Sequence, residues 1–273
     1  MALPHGRSSL SSRHWVLAGL LLILGYALWA VPGSPRNADS VLATAETTGT
    51  LRGTIRLEGS IPTLPPRVKA GDTSVKDCKV CAAVEILNES FFVDPRTNGI
   101  ANVFVYLAKT PAGYQEPHRL KPLEPAIVTT IGCRIVPHTL LLRVGQPVVV
   151  RNGDSIVHSL HPTPNRSSEF SRAIAAGMKD QRLNFDRSEA APFSVKCDLH
   201  TWMSAWILVK DHPFTAVTDS SGRFEIRNLP PGDYELRVWH ERAGSLNKKF
   251  PVTIKAGRIS QGDMKFGAQS IGL

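Results

Sequence analysis

Past its N-terminal segment this chain shows no sustained helical periodicity, only short alternating or β-branched runs cut off by glycine, proline, asparagine and aspartate. A period of two sends successive side chains to opposite faces of a strand, and those four residue types are the ones that turn a chain. Twenty-one glycines and twenty prolines in 273 residues supply turns for many short strands. The one helix candidate, Ser171–Met178, is barely two turns long. The reading is therefore an all-β protein, and the length allows two or more units that each bury a core.

Composition shifts divide the chain. Residues 1–33 read as an address: Arg7 and Arg13 precede the uncharged run Trp15–Val31, which Pro32-Gly33-Ser34 ends. The 17 residues of that run fall at the short end of what spans a bilayer, and exceed an ordinary signal-peptide core. Charge placed before the run orients the remainder outside the cytoplasm. The expectation is an N-terminal transmembrane helix in the inner membrane, with a cleaved signal as the alternative, so the protein works in the periplasm or its equivalent. A small, polar tether follows at 34–49. The first β region spans about 50–120 and contains LRGTIRLEG, CKVC, FFVD and NVFVYLAKT. The second, 125–211, packs AIVTTI, HTLLLRV, PVVVRN, RLNFDR, PFSVKC and AWILVK at a spacing that suits a β-sandwich. The third, 213–267, has alternating strands on either side of Pro230-Pro231-Gly232.

The formal charge is +9. Its cations are scattered singly through strand-like segments (Arg143, Arg151, Arg223, Arg227, Arg237), with no basic block flanked by aromatics. That distribution argues against nucleic acid and suits a soluble surface or an acidic protein partner.

The chemistry concentrates in the second region. Cys197, His200 and Met203 form C-x-x-H-x-x-M between PFSVKC and AWILVK, and His158 follows the end of PVVVRN. Each has a bland reading: half a disulfide, a hydrogen-bonded histidine, a core methionine. The joint spacing, three ligand types on one inter-strand loop and a fourth beside a neighbouring strand, points to a single copper ion. A thiolate and two imidazoles make its trigonal plane and a thioether its weak axial contact. Soft sulfur suits Cu(I) and imidazole tolerates Cu(II), so one fixed ligand set serves both states.

Residues 125–211 resemble a cupredoxin, most closely the amicyanin and plastocyanin-like type. The ligand-loop spacing is the same, Val157-His158-Ser159-Leu160-His161 is similar to the family's upstream element, and Val136-Pro137 to Val144-Gly145 is similar to its P-x-x-L-x-V-x-x-G strand. The resemblance implies a Greek-key β-sandwich with a type 1 copper centre held by His158, Cys197, His200 and Met203. It also implies one-electron transfer to a redox protein such as a cytochrome or dehydrogenase, with the ring edge of His200 presented at the surface. The family usually has asparagine after the upstream ligand, where it ties the ligand loops together; Ser159 here leaves that tie in question. His161, three residues past His158, faces away from the ligand set. Trp202 and Trp206 are candidates to shield the metal from water. Thr218–Tyr234 resembles the carboxypeptidase regulatory-like (transthyretin-like) module, which implies a small rigid β-unit supplying no ligand.

Cys78, Cys81 and Cys133 remain. Zinc would need a second ligand pair, with only Cys133 and His138 on offer; haem attachment would need a histidine where Ala82 stands. In an exported chain the default is a disulfide from Cys78 or Cys81 to Cys133, leaving one thiol. Trp239-His240-Glu241 reads as a packing contact at a strand end. No catalytic role is expected, because copper oxidases need further His-x-His clusters. A copper-trafficking protein and a structural β protein with a vestigial site are the rival readings.

Overall fold

The computed structural model describes residues 47–115 and 122–273. The expected membrane segment at 1–33 and nearly all of the tether lie outside the described residues. Among those described, no helix is long and apolar enough to cross a membrane.

The strands are β1 (Gly49–Glu58), β2 (Phe104–Leu107), β3 (Ala126–Ile131), β4 (Arg134–Val136), β5 (Thr139–Arg143), β6 (Val148–Asn152), β7 (His158–Pro162), β8 (Arg172–Ile174) and β9 (Gln181–Leu183). They continue with β10 (Phe193–Cys197), β11 (Ser204–Lys210), β12 (Thr215–Val217), β13 (Arg223–Leu229), β14 (Gly232–His240), β15 (Gly244–Ile254), β16 (Ile259–Gln261) and β17 (Met264–Gly267). Among the described elements, helix is limited to a single turn, α1 (Cys78–Cys81), and a 3-10 turn at Ala268–Ile271. The all-β expectation holds.

Strand β1 shows how pattern becomes packing. Leu51, Ile55 and Leu57 point inward while Arg52, Arg56 and Glu58 stay exposed. It pairs antiparallel with β13 and parallel with β16 and β17. Strand β2 lies between β12 and β14, with β15 beyond β14. Every strand partner of β1 and β2 thus comes from beyond residue 211, and Leu51, Ile55 and Val105 share a core with Phe224, Ile226 and Val238. Strands β13 and β14, on either side of Pro230-Pro231, do not form a hairpin; β13 joins β1 while β14 joins β2 and β15. The two prolines, which lack N–H donors, mark a corner from one sheet to the other.

The strands within residues 125–211 form two further sheets, ordered β5-β11-β10-β7-β8 and β4-β3-β6-β9. Leu142, Val150, Leu160, Phe185, Val195 and Ile207 fill the space between them. The helix candidate Ser171–Met178 is instead β8 and a turn: Ile174 is buried and pairs with His158 across β7. A third, smaller cluster of Phe104, Tyr106, Leu208 and Trp239 brings β2 and β14 against β11.

The irregular stretch between β1 and β2 serves both cores. Phe91, Val93 and Ile100 enter the first; Val68, Cys81, Ala82 and Ile86 enter the second. It is fastened by a disulfide between Cys81 and Cys133, 52 residues apart, while Cys78 is free. Of the two pairings left open by the sequence, the structure takes Cys81. Closing a loop of that size stabilises by about 4 kcal/mol in the chain-entropy account.

Candidate metal centre

Antiparallel pairing of β7 with β10 sets the frame, Leu160 opposite Cys197 and His161 opposite Lys196. His158 is the first residue of β7, Cys197 the last of β10, and the loop between β10 and β11 carries His200 and Met203. Two backbone bonds close that loop: Met203 N–H donates to the His200 carbonyl at 3.0 Å, and Cys197 N–H to the Met203 carbonyl at 3.3 Å.

His158, Cys197 and His200 converge, with one ligand atom from each lying within 4.8 Å of the others. The Nδ1 atoms of the two histidines are 3.1 Å apart, and Cys197 Sγ is 3.5 Å from His200 Nδ1. Both histidines are 0% exposed and Cys197 is 2% exposed. Met203, also 2% exposed, packs in the same core and is fixed by its two backbone bonds to the loop.

The far nitrogens decide what this cluster can do. His158 Nε2 lies 2.8 Å from Asp154 Oδ2, and His200 Nε2 lies 2.9 Å from Asp77 Oδ2. A carboxylate only accepts, so each neutral ring keeps its proton on Nε2 and turns the Nδ1 lone pair inward. Two Nδ1 acceptors then face each other beside a sulfur, an arrangement that one cation satisfies for all three groups, whereas the Cys197 thiol has a single proton to donate. Metal–nitrogen bonds of about 2.0 Å and metal–sulfur bonds of about 2.3 Å separate trigonal ligand atoms by roughly 3–4 Å, the spacing seen here. Burial lowers the His158 pKa, against the pull of Asp154, and so keeps the ring neutral and ready to ligate.

The surroundings hold these groups still. Ser159 N–H donates to Cys197 Sγ at 3.3 Å, and its hydroxyl donates to Asp198 Oδ2 at 2.9 Å. The tie between ligand loops therefore exists, made by serine through the carboxylate that follows Cys197. Asp198 also accepts from Ser171 Oγ and lies 2.8 Å from His161 Nδ1; these bonds, Ser171's first, hold its pKa down to about 2. His161 is spoken for by Asp198 and Glu169 and stands apart from the cluster. Asp154 also accepts from the N–H groups of Gly132 and Cys133, at 2.7 and 3.0 Å.

Other expectations change. His200 does not present an edge to solvent: Asp77, from the stretch before β2, covers its Nε2. Trp202 tilts against His200 with ring centres 5.3 Å apart, and its N–H donates to the Cys133 carbonyl. Trp206 does not shield the site; it packs on Trp239 at 4.8 Å and donates to Glu241, which also meets His138. His240 makes an edge contact with Phe91, and burial pushes its pKa down to about 4. Asp77 and Asp154 escaped the sequence reading. Asp154 left a local trace, four residues before His158, whereas Asp77 left none.

Comparison with known proteins adds the following. Residues 174–261 match the model of domain II of polysaccharide lyase family 4, an fn3-type domain. No curated protein matches the sequence. Among solved structures, the chain is similar to a copper-containing nitrite reductase from Thermus scotoductus (18% identity, TM-score 0.31), over 36% of this chain and 27% of that one. A purple cupredoxin from Nitrosopumilus maritimus (18%, TM-score 0.27) is matched over 31% of this chain and 99% of its own length. Pseudoazurin from Methylobacterium extorquens (16%, TM-score 0.28) is matched over 33% and 77%.

Proposed function

We propose that this chain is an exported type 1 copper protein that passes single electrons between redox partners, with His158, Cys197, His200 and Met203 as the ligands. The observation that carries this reading is the pair of inward-facing Nδ1 atoms, 3.1 Å apart and beside the Cys197 sulfur, each ring having its other nitrogen on a carboxylate. Copper would supply a one-electron couple between Cu(I) and Cu(II). The chain's part is to keep the ligand set unchanged through both states. Asp154 and Asp77 fix the ring tautomers, the Ser159 N–H steadies the sulfur, and the two sheets exclude water. Limiting rearrangement limits the cost of each transfer. The third region, read as a carboxypeptidase regulatory-like unit, supplies none of these groups.

A second reading, a protein that holds or hands on Cu(I) without carrying electrons, is favoured by the covered edge of His200. Colour and rate separate the two. Protein loaded with one equivalent of Cu(II) should show an intense visible thiolate-to-copper band, and its reduced form should be reoxidised rapidly by ferricyanide. Cys197→Ser should abolish the band, and Met203→Leu should keep it while raising the reduction potential. A band surviving in Cys197→Ser would end the type 1 reading. Colourless binding of Cu(I) alone would favour the second.

A further inference from the structure

Asp77 occupies the position before the first residue of α1, where an aspartate ordinarily bonds to its own helix's N–H groups. It makes no such bond. Its backbone is left-handed, φ 52°, unusual for a residue with a side chain, and its carboxylate instead reaches His200, 123 residues away. A cap forgone and a left-handed backbone both cost stability, and a built-in cost of this kind points to a function.

The connections beyond Asp77 form a closed ring around the metal site. Its carbonyl accepts from Val80 and Cys81, which fixes it to α1. Cys81 is bonded to Cys133. The Cys133 N–H donates to the Asp154 Oδ2 that also meets His158 Nε2, and the Cys133 carbonyl accepts from Trp202, which tilts against His200. Both histidines are thus held, one from each side, through a single disulfide.

We infer that Asp77 is a positioning residue for the metal centre: a clamp, borne by the segment before β2 and pinned by Cys81–Cys133, that holds His200 on its Nε2 and closes the exposed side of the site. The inference rests on the copper reading for its consequences, while the clamp itself is a property of the metal-free protein. A carboxylate on the far nitrogen makes an imidazole a stronger donor, which favours Cu(II) and retains the ion. It also makes the segment 59–101 part of the centre and not a separate unit.

The test uses the full chain and the variants Asp77→Ala and Asp77→Asn. In metal-free protein, nuclear magnetic resonance should show the His200 Nε2 proton protected from solvent exchange in the wild type and in Asp77→Asn, which keeps an acceptor, and exchanging freely in Asp77→Ala. With copper bound, both variants should raise the reduction potential, and Asp77→Ala should release copper to a chelator about 10–100-fold faster. A protected His200 proton in Asp77→Ala would overturn the clamp, as would release and potential equal to wild type in both variants. If wild-type protein takes up no copper, the functional reading fails, and the exchange measurement still decides the clamp.

Discussion

At Ser159 the backbone N–H points to the Cys197 sulfur at 3.3 Å while the hydroxyl reaches the Asp198 carboxylate at 2.9 Å, so one residue braces two consecutive positions where β10 runs into the loop. Ser159→Ala keeps the N–H and loses the hydroxyl, leaving Asp198 its bonds to Ser171 and His161. A hydrogen bond to a charged group contributes about 1.5–3 kcal/mol, and Asp198 is partly exposed, so the loss in stability should be near 1 kcal/mol. The shift in a denaturant midpoint measures it; an unchanged midpoint would show that the brace carries nothing. The Cys197, His200 and Met203 motif was legible because its offsets are local and the strands on either side are patterned. Asp198 stood in the motif, but its role depends on which hydroxyl lies across the sheet. Asp77 was invisible, since nothing in an aperiodic stretch marks which distant ring its carboxylate will meet.

Elements were readable where alternation met turn residues, as in β1, β10 and β11, and misread where composition pulled the other way. Residues 171–178 contain three alanines, good helix formers, yet tertiary pairing of Ile174 with His158 draws them into β8. The pattern around Thr218–Tyr234 did mark Gly222, whose φ of 74° suits glycine. Its neighbour in space, Gly99, follows Asn98 in a turn dipeptide that gives no sign of a close approach to another segment. There the turn before β2 crosses the turn before β13 so closely that a Cβ on Gly99 would lie 1.9 Å from the Ser221 carbonyl oxygen, and one on Gly222 would lie 2.3 Å from the Ile55 oxygen. Ile55 bonds to both turns, donating to Gly222 and accepting from Ile100. Gly99→Ala must push two backbones apart at a core position, and should cost about 2–4 kcal/mol in thermal or denaturant unfolding, at or above the usual penalty for overpacking. A loss under 0.5 kcal/mol would show that the crossing can relax.

At the scale of the whole described fold, strand pairing binds β1 to the C-terminal strands in a way that segment-by-segment reading could not show, because parallel pairing of β1 with β16 and β17 leaves no local turn to announce it. The sequence suggested a small C-terminal β-unit that supplies no ligand. The sheets give an expectation for truncation after Asp211. Strands β1 and β2 would lose every strand partner, and their shared core would lose 11 of its 20 buried residues, among them Phe224, Leu236 and Ile254. What remains of β1 is an alternating apolar strand with open edges, a template for aggregation. The segment carrying Asp77 and Cys81 would stay tied to the two sheets of 125–211 by Cys133, while Phe91, Val93 and Ile100 would lose much of the core they pack into. A fragment of residues 47–211 should therefore bind a hydrophobic dye and precipitate more readily than the full chain. A fragment of residues 122–211, which keeps the sheets β5-β11-β10-β7-β8 and β4-β3-β6-β9 and drops the stranded strands, should be the more soluble of the two. Dye binding and sedimentation of the three proteins side by side provide the check, and equal solubility of both fragments would show that β1 and β2 find other cover.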